Sequence, residues 1–164
     1  MRRPANILLV DDNVMDIELT LDAFREKHLD NAVRSVTGGK EALNYLFARG
    51  PYADRDAYPL PDLILLDLKM PVVDGHEVLR QIKTSPVLKR IPVIVLTSSR
   101  EEGDRALSYD NGANSYLVKP VSFEGFLEVV QRIGDYWLSL NVPPPLDACG
   151  VPGMTPVEAK GPDS

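Results

Sequence analysis

Short apolar runs alternate along the chain with longer segments of helical spacing, and this beat occurs five times. The runs at 7–10, 32–36, 63–66, 93–96 and 115–118 read as strands, three of them apolar throughout, as strands covered on both faces should be. Ile17, Leu21 and Phe24 recur at spacings of four and three and predict a helix over 14–27. Leu43, Leu46 and Phe47 predict a second over 40–48. Asp74 with Glu77 three residues on has the form of a helix start, leading into Val78, Leu79 and Ile82. Ser99 with Glu102 has the same spacing and predicts the start of a fourth helix. Ser122 caps a fifth, in which Phe126, Val130, Ile133, Trp137 and Leu140 share one stripe. Strand and helix in strict alternation predict an α/β fold, a doubly wound parallel sheet.

Two stretches depart from the beat. Residues 49–61 hold three prolines and one glycine without a usable period, and read as a long loop that is either an insertion or a partner surface. Residues 141–164 contain six prolines and three glycines, so 9 of 24 positions break regular structure. The expected organisation is one domain over 1–140 and a Pro/Gly-rich tail over 141–164 with no output domain.

Composition narrows the function classes. With 44% hydrophobic and 26% charged residues the chain has an ordinary globular make-up. Eighteen basic against 24 acidic residues give a net charge of −6, which disfavours direct nucleic-acid or anionic-membrane binding. A lone cysteine, Cys149, forms no internal disulfide, and the amino-terminal apolar run is too short to span a membrane, so a cytoplasmic location is expected.

In open parallel sheets the crevice lies at the carboxyl ends of the strands. There the chain places Asp11-Asp12, Asp67, Thr97 and Lys119-Pro120. An aspartate after a strand also reads as a helix cap, but three carboxylates, a hydroxyl and an ammonium at one edge form a set. At an effective dielectric near 20, two carboxylates about 4 Å apart repel by roughly 4 kcal/mol, so the cluster calls for a cation. Oxygen donors without histidine or cysteine favour Mg²⁺. A carboxylate beside Mg²⁺ can take a phosphoryl group, and Asp67, between the other groups in the sheet, is the expected nucleophile.

These residues carry a resemblance. The runs Ile7-Leu8-Leu9-Val10-Asp11-Asp12-Asn13, Asp67-Leu68-Lys69-Met70-Pro71-Val72-Val73-Asp74-Gly75, Leu96-Thr97-Ser98-Ser99 and Tyr116-Leu117-Val118-Lys119-Pro120 resemble the receiver domain of two-component response regulators. The resemblance implies a flavodoxin-like (βα)₅ fold with strand order 2-1-3-4-5. It implies that Asp67 accepts phosphate from a sensor histidine kinase, and that Asp12, Asp67 and the backbone carbonyl of Lys69 ligate Mg²⁺, with Asp11 acting through water. Lys119 would pair with Asp67 or its phosphate, Thr97 would follow the phosphoryl group, and Tyr116 would turn as the switch coupled to Thr97. A cis Lys119–Pro120 bond is also implied. The output would be the face of the fourth helix, fifth strand and fifth helix.

More narrowly, Leu19-Thr20-Leu21-Asp22-Ala23-Phe24, Pro59-Leu60-Pro61-Asp62, Leu88-Lys89-Arg90-Ile91-Pro92, Ser108-Tyr109-Asp110 and Tyr136-Trp137-Leu138 are similar to the single-domain regulators that partner bacterial and cyanobacterial phytochromes. That implies a phytochrome-type kinase as phosphodonor and a homodimer through the same face and the tail. Val129, Tyr136 and Leu138 add apolar surface consistent with self-association. A Mg²⁺-dependent phosphohydrolase and a phosphorylation-independent dimerisation module are the alternatives. Lys69 stands where a dehalogenase-type hydrolase wants a second acid, and the intact acidic set argues against an inert module. Beyond its own phosphoryl transfer and dephosphorylation, no enzymatic activity is expected. Lys69 and Ser99, each two residues beyond a site residue, leave the phosphoryl lifetime open, and His28 and His76 read as surface or capping residues.

Overall fold

The computed structural model describes residues 5–29 and 32–136. Its elements run β1 (Asn6–Val10), α1 (Val14–Glu26), β2 (Ala32–Val36), α2 (Gly39–Leu46), β3 (Leu63–Leu66), α3 (Gly75–Thr84), β4 (Val93–Thr97), α4 (Glu102–Asp110), β5 (Ser115–Val118) and α5 (Phe123–Ile133). The five strands pair in parallel in the order 2-1-3-4-5, as expected. Trp137, Leu138, Leu140 and the expected tail over 141–164 lie outside the described residues.

Each strand side chain alternates between two cores. Leu8, Val10, Ile64, Leu66, Val93 and Val95 face α2 and α3. Ile7, Leu9, Leu63, Leu65 and Ile94 face α1 and α5, where they meet Ile17, Phe24, Phe126, Val130 and Ile133. Leu63–Leu66 and Val93–Thr97 are buried along their whole length, which is why they read as unbroken apolar runs.

Two of the three expected caps form. The carboxylate of Asp74 accepts from the N–H of Glu77, and the hydroxyl of Ser122 accepts from the N–H of Gly125. The third does not: α4 begins after Glu101, which makes no side-chain capping bond. Ser99 instead donates its hydroxyl to Asp104 at 2.6 Å. The helix starts too late for Ser99 to reach its free N–H groups.

Residues 49–61 are folded against α2. Rings of Tyr45, Tyr52 and Tyr58 meet tilted or edge to face, with centroids 5.0–5.9 Å apart. The guanidinium of Arg55 donates to the carbonyls of Tyr45, Leu46 and Tyr58, so a loop cation closes the carboxyl end of α2. Tyr52 donates its hydroxyl to Glu41 at 2.6 Å. None of these contacts is periodic, so no period marked them in advance.

Candidate functional site

Strand register assembles the site. Val10 is opposite Leu66, and the N–H of Asp67 donates to the carbonyl of Val10 at 2.9 Å, so Asp11 and Asp67 leave adjacent strands side by side. Thr97 is opposite Val118, and the N–H of Lys119 donates to Thr97 O at 2.8 Å. The carboxylates of Asp11, Asp12 and Asp67 offer oxygens within 4.8 Å of one another; Asp11 and Asp67 are buried and Asp12 is exposed. Mutual repulsion in such a cluster is relieved by a cation. The donor set is all oxygen, which fits a hard divalent ion such as Mg²⁺.

The protein's own cation at this site is Lys119, 8% exposed. Its ammonium lies 2.7 Å from Asp11, 2.8 Å from Asp16 and 3.3 Å from Asp67. Burial alone would pull its pKa down. Hydrogen bonds to Asp11 and Asp16 and the charge of Asp67 outweigh burial and raise it above the usual lysine value. Burial pushes the Asp11 carboxyl up to about 6, against the hydrogen bonds from Lys119 and from the N–H of Asn13, with negative Asp67 adding to the rise.

Asp16 is the residue that sequence reasoning missed here. It stands in the first turn of α1, three residues beyond the capping Asn13, and no local signal marked it, because its partner Lys119 comes from the end of β5. The expected cis Lys119–Pro120 bond is not found: among the described residues no peptide bond is cis. Lys119 reaches the pocket from a trans peptide, held by its strand pairing to Thr97 and by three carboxylates.

Thr97 is fully buried, and its hydroxyl accepts from the N–H of Ser99. Tyr116 is half-buried and donates its hydroxyl to the carbonyl of Ser99 at 3.0 Å, so the two residues expected to switch together meet at the same loop. Gly75 follows from close approach. A Cβ there would come within 2.2 Å of the carbonyl oxygen of Asp67, so any side chain would push α3 off the end of β3.

A second polar cluster adjoins the first. Asp104, in the first turn of α4, accepts from Ser99, lies 3.1 Å from the ammonium of Lys69 and 3.1 Å from Nε2 of His76. Hydrogen bonds from Ser99 and His76, with Lys69 adding its own, hold the Asp104 carboxyl down at about 2. His76, read from sequence as a surface or capping residue, is thus largely covered and engaged with α4, because α3 and α4 lie side by side. His28 ends α1 with a positive φ of 57°.

The response regulator receiver domain matches residues 7–131. The chain is 43% identical, over 86% of its length and 88% of the relative's, to the protein named Probable methanogenesis regulatory protein FilR2 of Methanothrix harundinacea. It is 40% identical, over 82% of its length and 90% of the relative's, to Response regulator Rcp1 of Synechocystis sp.. The crystal structure of the phosphorylated cyanobacterial phytochrome response regulator RcpA superposes with a TM-score of 0.81 at 41% identity, covering 87% of this chain and all of that one. The manganese-bound form of Rcp1 superposes with a TM-score of 0.78 at 39% identity, again over 87% of this chain and all of that one.

Proposed function

Because the chain belongs to the response regulator receiver family, we propose that Asp67 is its phosphoacceptor and that Lys119, Thr97 and a bound Mg²⁺ serve the transfer. The observation that carries this reading is the buried ammonium of Lys119 between Asp11 and Asp67 at the mouth of three convergent carboxylates.

Asp67 attacks the phosphorus of a kinase phosphohistidine through one carboxylate oxygen. The new P–O bond forms as the P–N bond breaks, and the electron pair returns to the imidazole, which takes a proton. Lys119 sits 3.3 Å from Asp67 Oδ2 and so faces the oxygens that gain the phosphoryl charge. The N–H of Leu68 donates to Asp67 Oδ1 at 2.8 Å, fixing one carboxylate oxygen and leaving Oδ2 toward the lysine. Asp12, Asp67 and the Lys69 carbonyl would hold the metal, and Asp11 would support it through water. When bound, Mg²⁺ supplies charge neutralisation on the transferring oxygens. Thr97 follows the phosphoryl group and Tyr116 turns with it, altering the α4–β5–α5 face.

The donor is a sensor histidine kinase of the phytochrome type, a reading supported by the likeness to Rcp1 and RcpA. Val14, Met15, Val72 and Val121 are exposed apolar residues following β1, β3 and β5, and supply a dry rim for its docking. The receiver domain spans 1–140 of this sequence in this reading, and its place of work is the cytoplasm. Its net charge of −6 supports contact with proteins rather than nucleic acid or membrane. Among the described residues no helix is long and apolar enough to cross a membrane.

Incubation with acetyl phosphate and Mg²⁺ tests the reading. The wild type gains about 80 Da on Asp67, and Asp67→Asn or excess EDTA abolishes the gain. Equal labelling of Asp67→Asn would refute it, and many turnovers on simple phosphate esters would identify a phosphohydrolase instead.

A further inference from the structure

Helix α4 is attached unlike the other helices. Ser108 is its one buried residue, whereas α3 buries Gly75, Val78, Leu79 and Ile82, and Leu107 and Tyr109 of α4 are 44% and 49% exposed. Burial therefore holds α4 weakly. What ties its first turn to the protein is Asp104, which takes Ser99 at 2.6 Å, Lys69 at 3.1 Å and His76 at 3.1 Å. Its side chain is 13% exposed, so these contacts are only partly screened by solvent.

Two of the partners connect to the phosphoacceptor site. Lys69 is two residues past Asp67, so their Cα atoms are at most about 7 Å apart, and a flexible four-carbon stem lets the ammonium serve either Asp67 or Asp104. Ser99 is two residues past Thr97, and its N–H donates to the Thr97 hydroxyl at 3.3 Å. One carboxylate thus gathers a side chain from each of the two loops that close the acidic pocket.

We propose that Asp104 is a positioning residue for loss of the phosphoryl group from Asp67: by holding the Lys69 ammonium on α4 it keeps that cation off the phosphoryl oxygens and leaves them open to water. The inference rests on the reading that Asp67 carries the phosphoryl group. In the hydrolysis, water oxygen bonds to phosphorus as the P–O bond to Asp67 breaks. The electron pair returns to the carboxylate, and the water protons leave with the phosphate as dihydrogen phosphate. A lysine side chain drawn onto those oxygens occupies the path of the attacking water. Asp104 and the phosphoryl group compete for one ammonium.

The test is a double-mutant cycle on the full chain. Wild type, Asp104→Asn, Lys69→Met and the double variant are labelled with acetyl phosphate and Mg²⁺, freed of reagent, and followed by mass as the label decays. Asp104→Asn should keep the label about fivefold longer, the rate equivalent of one partly exposed ion pair. That prolongation should vanish when Lys69 is methionine, which a merely structural role for Asp104 would not do. Asp104→Glu, which retains the charge, should restore rapid decay. Thermal melting of each variant checks the fold. Decay of Asp104→Asn at the wild-type rate, or the same prolongation with and without Lys69, overturns the proposal. Absence of any label on the wild type overturns the reading beneath it.

Discussion

Lys83, in the last turn of α3, carries the clearest single-residue consequence of burial. Its ammonium donates to the carbonyls of Lys89 and Ile91, at 3.1 and 2.8 Å, and burial lowers its pKa from 10.5 to about 8. The folded chain then gives up this proton near pH 8, while the unfolded chain keeps it to about 10.5. Between those values the unfolded state binds more protons, so this group makes the free energy of unfolding rise with pH. Below pH 8 the cost of the buried charge is fully present. Lys83→Met should therefore be favoured over the wild type at pH 7 by up to about 1–2 kcal/mol, allowing for partial exposure and the two lost hydrogen bonds, with the advantage shrinking by pH 10. Urea melts of both proteins at the two pH values check this; an advantage that grows with pH would contradict it. The residues of the acidic pocket were legible singly, because Asp11, Asp12, Asp67, Thr97 and Lys119 each follow an apolar run at a strand's end. The roles of Asp16, Asp104 and His76 were not, since each depends on a partner from another element.

Among elements, strands and capped helices were the readable parts. The strands showed as apolar runs because both sheet faces are covered, and Asp74 and Ser122 announced α3 and α5 because a cap acts within three residues. Helix α4 was harder: it starts after Glu101 without a side-chain cap, and Ser99 bonds to Asp104 instead. The segment over 49–61 was hardest, its order resting on three tyrosine rings and on Arg55 laid across the end of α2. Arg55→Ala should remove three hydrogen bonds to carbonyls at once, lowering stability by about 1–3 kcal/mol. The urea midpoint should fall with the slope unchanged, and Asp67 labelling should persist, since the segment touches α2 rather than the pocket. Loss of labelling would tie this loop to the site.

On the scale of the molecule, the sheet order leaves β5 at an edge, beside an open pocket of Ile94, Ser115, Leu117, Arg132, Ile133 and Tyr136. Edge strands with apolar neighbours invite a partner. The homodimer through the α4–β5–α5 face that the resemblance implies is checked by light scattering on the phosphorylated and free protein. A twofold mass is expected, falling toward the monomer when Leu117 and Tyr136 are both replaced by lysine, because two buried charges on each copy would have no counter-charge. A monomer at all concentrations would exclude it. The sequence by itself determined the five-beat alternation, the class of fold and the five residues at the strand ends, because hydrophobic period and caps are local properties. Only the tertiary structure decided which carboxylates share Lys119 and that Asp104 joins the two loops, because those depend on strand register and helix packing between residues as far apart as Asp16 and Lys119.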